Sequence, residues 1–295
     1  MVSPNISNFT DFIRLWNNAF VSTDSVISTF TETVKAIPKM LLEVVACTHI
    51  WHFAFYRCKF RHISFNVIPH MKSIQHLEFP QSPFETIHPE ACDLIPSVKK
   101  ISLTSTKLPG IPEAIFCLKT LACVNMSYRN VPPGVEFNFW PGSRNRKSSA
   151  YKLITSGSMV TLLRDRGLCG FPNLNELHMD GCDLKILLGC PFICLKKLKV
   201  LSLQANKITE LNEATLAGLT SLLMLNLNRN RLTVSKGMYL FRWCPCDCVT
   251  YPSTAHNCVD KPVNSSAEVL FAQHNGLKKW TRAIFSRMRE LKCWI

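Results

Sequence analysis

The sequence predicts an α/β solenoid: a curved stack of repeats with short parallel strands on the concave face and helical caps at both ends. Three observations predict it. In the stretch 198–232 the pattern L-x-x-L-x-L-x-x-N-x-L occurs twice. Leu198, Leu201, Leu203, Asn206 and Ile208 recur 24 residues later as Leu222, Leu225, Leu227, Asn230 and Leu232, and a fixed period of this length marks a stacked repeat. Alternation at Leu201 and Leu203 places two apolar side chains on one face of a short strand. Asn206 and Asn230 are suited to bond the backbone where the chain leaves that strand. One such unit cannot bury its apolar edge alone, so units must stack.

The elements follow in order. Residues 1–23 are expected to form an N-terminal capping helix, with Phe9, Phe12, Ile13, Trp16 and Phe20 along one face to cover the open end of the stack. The stack itself is expected over residues 24–240. A degenerate repeat at about 24–49 is supported by Val34, Ile37, Pro38, Leu42 and Val45, and clearer ones begin at Ile50, Ile74, Val98 and Leu121. Residues 132–149 are rich in Pro, Gly, Ser and basic residues and read as an insertion. A weak repeat then begins at Ala150 and a clear one at Leu174. The ninth position reads Cys58, Ser82, Thr106, Arg129, Ser158, Cys182, Asn206 and Asn230; all but Arg129 are small polar side chains able to bond the local backbone. Residues 241–295 are expected to form a cysteine-containing cap. Its amphipathic helix presents Leu277, Trp280, Ile284, Met288 and Leu291 on one face and Lys278, Lys279, Arg282, Arg287 and Arg289 elsewhere. Such a helix either closes the last repeat or binds an anionic membrane surface or calmodulin.

Composition bounds the function. The chain of 295 residues is 47% hydrophobic and 18% charged, a globular rather than disordered balance. Its net charge of +14 favours acidic partners, or reflects only a solvated basic exterior. No basic region followed by an apolar run opens the sequence, so no signal peptide is read there. The most apolar segment, 40–55, contains Glu43, His49 and His52 and falls short of the ~18 apolar residues of a membrane span. Fourteen cysteines are many for a reducing compartment. Asn-x-Ser/Thr acceptors at Asn5, Asn8, Asn125 and Asn264 point the same way, toward a secretory or extracellular setting with a cytoplasmic one as the alternative. The nine histidines lack the H-E-x-x-H spacing, and no phosphate loop, dinucleotide fingerprint or hydrolase elbow is present. No enzyme activity, metal or cofactor is therefore expected.

The pattern resembles the 24-residue class of leucine-rich repeats common in extracellular recognition proteins, including Toll-like receptor ectodomains. Ile37-Pro38 and Ile111-Pro112 match its Leu-Pro pair. The resemblance implies a disulfide-bonded C-terminal cap in which Cys246 and Cys248 pair with Cys258 and Cys293. Alternatives are a zinc site among Cys244, Cys246, Cys248, His256 and Cys258, or free thiols. It also implies a concave binding face made by the residues between the buried leucines. These include Trp51, His52, Tyr56, Arg57, His76, Lys99, Lys100, Tyr128, Tyr151, Lys152, His178, Asp180 and Arg229. Trp, Tyr and Arg most often dominate binding energy. A glycan on Asn125 would share this face and move binding to an edge. The expected function is non-enzymatic recognition of a protein or acidic macromolecule, innate-immune receptor-like, with homo- or hetero-oligomers open. The alternatives are an intracellular repeat scaffold with reduced cysteines, or an accessory whose C-terminal tail is the active part.

Overall fold

The computed structural model describes residues 5–6, 25–30, 51–56, 62–63, 71–82, 85–128, 139, 146–211, 214–232, 269–271 and 292–294. The chain divides into two compact units, Met1–Ile154 and Thr155–Ile295. Each is a parallel-strand solenoid.

In the first unit the strands are β1 (Asn5–Ile6), β2 (Ser25–Phe30), β3 (His52–Tyr56), β4 (His62–Ile63), β5 (His76–Glu78), β6 (Thr86–Ile87), β7 (Lys100–Ser102), β8 (Cys123–Asn125) and β9 (Lys152–Ile154). β1, β2, β3, β5, β7, β8 and β9 pair in that order, all parallel. His52, His76, Lys100, Cys123 and Lys152 fall in one register row. β4 pairs with β6 on a separate two-stranded ribbon. In the second unit the strands are β10 (Leu162–Leu163), β11 (Glu176–His178), β12 (Ile186–Leu187), β13 (Val200–Ser202), β14 (Met224–Asn226), β15 (Val269–Phe271) and β16 (Lys292–Trp294). β11, β13, β14, β15 and β16 form one parallel run, and β10 with β12 another.

The repeat pattern accounts for this core position by position. First-position residues Ile74, Val98, Leu121, Ala150, Leu174, Leu198 and Leu222 are at most 1% exposed. The mid-strand residues Phe53, Leu77, Ile101, Val124, Leu153, Leu177, Leu201 and Leu225 are equally buried, at 2% or less. Each such side chain contributes roughly 1.5–3 kcal/mol by leaving water. Between rungs, the second-position carbonyl accepts two N–H groups from the next repeat. Gln75 O takes Lys99 and Lys100, and Lys199 O takes Leu223 and Met224. The eighth position is left-handed in seven successive repeats, at Gln81, Ser105, Tyr128, Gly157, Gly181, Ala205 and Arg229, with φ between 54° and 67°. This turn carries the chain off the strand and sets the ninth side chain into the stack.

Helix is sparse among the described residues. One turn, α1 (Ala91–Leu94), buries Ala91 and Leu94, and a 3₁₀ turn over Glu113–Phe116 buries Ala114, Ile115 and Phe116. The face of the helix expected between residues 9 and 20 lies outside the described residues. So do the face residues of the C-terminal helix, while Lys292–Trp294, the last residues of that stretch, are strand β16. β15 and β16 repeat the strand within the segment expected as a cap. Leu270 takes the place of Leu225, and Cys293 that of Leu270. Near the expected insertion, Ser148 is buried and Ser149 Oγ donates to the carbonyls of Leu118 (3.0 Å) and Leu121 (2.7 Å), so repeat spacing resumes from an anchored segment.

Candidate recognition face

Residues three and five of each repeat flank the buried mid-strand residue, so the pleat turns them to the opposite side of the sheet. On the first unit this face begins with an aromatic and ionic cluster. The Trp51 ring meets the His76 ring edge-on at 5.0 Å between centroids and lies 5.7 Å from that of His52; the two imidazoles are 5.9 Å apart. Glu78 sits between charges. Its Oε1 is 3.6 Å from Lys100 Nζ and 3.8 Å from His52 Nε2. That His52 nitrogen is shielded from water and lacks a hydrogen-bond partner. Burial first, then the charges of Lys100 and His52, hold the pKa of His76 below the ordinary imidazole value, with Glu78 opposing.

The face continues with exposed Lys99, half-buried Lys152, and two tyrosines, Tyr128 at 67% and Tyr151 at 47% exposure. Tyr128 owes its projection to the left-handed eighth position. Asn125, at the end of β8, is half-buried, and its Oδ1 accepts from Ser127 N (3.1 Å) and Ser127 Oγ (2.8 Å).

The second unit carries a different face. Asp180 Oδ1 accepts from Ser202 Oγ and from Gln204 N, and Gln204 Oε1 accepts from Asn226 Nδ2 at 2.9 Å. His178 and Glu176 approach at 3.5 Å. Arg229 is exposed, in the left-handed turn that follows β14.

The sequence-derived set is thus divided. Trp51, His52, His76 and Lys100 come together; Lys99, Tyr128, Tyr151 and Lys152 extend their row; His178, Asp180 and Arg229 belong to the second unit. Tyr56 lies in β3 opposite Thr29, and Arg57 lies outside the described residues. So do Cys246, Cys248, Cys258, Asn8 and Asn264; Asn5 lies in β1 and Cys293 in β16. Among the described residues no group of three His, Cys, Asp or Glu is placed to hold a metal, and no helix is long and apolar enough to cross a membrane.

Among the described residues the structure pairs Cys92 with Cys117 and Cys169 with Cys194, at Cα separations of 5.9 and 5.0 Å. Both pairs are 25 residues apart. One repeat plus one residue puts them on the same bend of adjacent rungs, and that spacing was the available signal.

A stack of parallel rungs with this buried pattern defines a solenoid, and comparison with known proteins says which kind. The leucine rich repeat family profile matches residues 191–232. Among solved structures, TLR13 in complex with the single-stranded RNA ssRNA13 is similar with a TM-score of 0.64 at 15% identity, over 90% of this chain and 38% of that one. The Leptospira interrogans leucine-rich repeat protein LIC12759 is similar with a TM-score of 0.56 at 15% identity, over 98% and 70%. A comparison with curated proteins by sequence gave no match. The chain is a leucine-rich repeat protein. It spans little more than a third of the TLR13 chain.

Proposed function

We propose that this chain is a non-enzymatic recognition module that binds an acidic macromolecule on the strand face of its first unit. The carrying observation is the row of Trp51, His76, Lys99, Lys100, Tyr128, Tyr151 and Lys152 on successive rungs. Flat aromatic rings offer contact area at low entropic loss, and lysines beside them attract negative charge. Leucine-rich repeats are typically binding modules, and TLR13, similar in fold, forms a complex with a single-stranded RNA, which supports a polyanionic class here. An extracellular, innate-immune receptor-like role is the finer reading. It is supported by two cysteine pairs at bridging distance, since such pairs persist in oxidising compartments.

The test is fluorescence anisotropy of a labelled single-stranded RNA and of labelled polyglutamate against the purified chain, at low and physiological salt. Salt-sensitive binding of at least one probe is expected. Replacing Trp51, Tyr128 and Tyr151 together by Ala weakens it at least tenfold, the scale of about 1.4 kcal/mol, while Gln204→Ala in the second unit leaves it unchanged. Undiminished binding by the triple variant refutes the assignment to this face.

A further inference from the structure

Where strand β13 of the second unit begins, the chain runs Leu195-Lys196-Lys197-Leu198-Lys199-Val200. Leu195 and Leu198 are fully buried, and anchoring them in the core turns Lys196, Lys197 and Lys199 outward. Among the described residues no carboxylate forms an ion pair with any of the three. Lys197 Nζ donates to the neutral Asn173 Oδ1 (2.8 Å), so its charge is held in place without being cancelled. Glu176, one rung earlier, is engaged with His178 at 3.5 Å.

On the next rung the same edge is apolar. Leu223 and Met224 are each 37% exposed, and Met224 stands in register with the half-buried Val200. Lys199 O accepts from both Leu223 N (2.8 Å) and Met224 N (2.9 Å), which seats the apolar pair directly beside the lysine rung. Single exposed apolar residues are ordinary, but a contiguous pair rimmed by unpaired cations marks a contact surface. None of these residues belongs to the hydrogen-bonded ladder of Asp180, Ser202, Gln204 and Asn226, and none to the first-unit face.

We infer that this edge docks on an anionic lipid surface. Lys196, Lys197 and Lys199 meet the acidic headgroups, while Leu223 and Met224 enter the boundary between headgroups and acyl chains. The backbone decides between a lipid surface and an acidic peptide. An extended peptide added to a sheet needs free N–H and C=O groups, and here the stack consumes them. Lys199 N and Val200 N both donate to Asn175 O, Leu223 N and Met224 N both donate to Lys199 O, and Lys196 O accepts from Thr220 Oγ1 at 3.2 Å. What remains outward is charge beside apolar bulk. A nucleic acid or a sulfated polysaccharide would use the charge and leave Leu223 and Met224 in water, and no aromatic ring stands among these five side chains for a base to stack on.

The experiment is co-sedimentation of the full chain with vesicles of phosphatidylcholine, alone or in an equal mixture with phosphatidylserine, at low and physiological salt. Binding only to the vesicles that contain phosphatidylserine, weakened by salt, is expected. Lys196→Gln, Lys197→Gln and Lys199→Gln together are expected to weaken it roughly a hundredfold. Leu223→Ser with Met224→Ser is expected to weaken it about tenfold and to leave its salt dependence as it was. Every other lysine and arginine remains in these variants, so binding that survives the triple change undiminished comes from elsewhere and overturns the proposal. Equal binding to phosphatidylcholine alone overturns it as well. Soluble heparin and polyglutamate supply the other arm: if the three lysines capture either one, and the Leu223 and Met224 variant holds vesicles as wild type does, the edge serves soluble polyanions and the lipid assignment falls. Where a variant fails to fold, wild-type protein decides by acetylation. Phosphatidylserine vesicles must protect Lys196, Lys197 and Lys199 and phosphatidylcholine vesicles must not; three unprotected lysines overturn the proposal.

Discussion

The two units use one repeat in opposite ways on their strand faces. In the second, polar side chains consume one another: Asp180, Ser202, Gln204 and Asn226 are tied by hydrogen bonds from rung to rung. In the first, rings and cations stand beside one another around a single carboxylate, Glu78. The ninth position divides the units again. Asn206 Nδ2 donates to Met179 O and Leu203 O, while its Oδ1 accepts from Cys182 N and Leu184 N. Its first-unit counterpart Thr106 bonds through its hydroxyl, Oγ1 to Leu103 O at 3.0 Å. Each unit carries one cysteine pair between adjacent rungs, Cys92–Cys117 in the first and Cys169–Cys194 in the second, and the second adds the buried amides. A face whose polar groups are satisfied internally has little left for a partner, which is why recognition is assigned to the other.

The comparison breaks first at the amides. Asn206→Ala strands the buried N–H groups of Cys182 and Leu184, each worth about 1–3 kcal/mol when left unpaired. A loss of roughly 3–4 kcal/mol is expected in urea unfolding. A loss below about 1 kcal/mol would mean that the amide ladder does not hold the rungs.

Next comes the staple. Cys117→Ser opens a loop of 25 residues and is expected to lower stability by about 2–3 kcal/mol under oxidising conditions. Under reducing conditions wild type and variant should converge; a persistent gap would assign the effect to packing of the sulfur rather than to the bond. The smaller counterpart is Thr106→Ala, expected to lower stability by only about 1 kcal/mol, because one hydroxyl bond is lost. Equal losses at Thr106 and Asn206 would erase the distinction between the units.

How legible the fold was follows from the same chemistry. Leucines at the first, fourth and sixth positions announce themselves because burial demands them, and even Phe53 and Phe79 fit because the layer needs only apolar bulk. The asparagine ladder was equally readable. The left-handed eighth position was not, since Tyr128 and Arg229 stand there with no glycine to mark it. β15 was hidden for a related reason. Ala267, Leu270, Ala272, Asn275 and Leu277 repeat the template with alanines where leucines usually stand. At the recognition face, alternation identified which side chains point outward. It did not reveal that Glu78 gathers His52 and Lys100, because that depends on a register between strands 24 residues apart.

The smallest expected effect concerns His76. Its folded-state pKa lies below the ordinary 6.5 because burial disfavours the imidazolium and Lys100, His52 and Lys99 repel it, against the attraction of Glu78. The unfolded chain therefore binds the proton at higher pH than the folded one. Stability linked to this group is complete above about pH 6.5 and declines on acidification until the folded-state value is passed. His76→Gln cannot take up that proton, so its urea midpoint should fall less than that of wild type between about pH 7.5 and about pH 5.5. The other ionisable groups of the cluster, His52, Glu78, Lys99 and Lys100, remain in the variant and supply the background slope. Identical slopes in the two proteins would show that Glu78 neutralises the repulsion. The first-unit face would then be electrostatically as settled as the second.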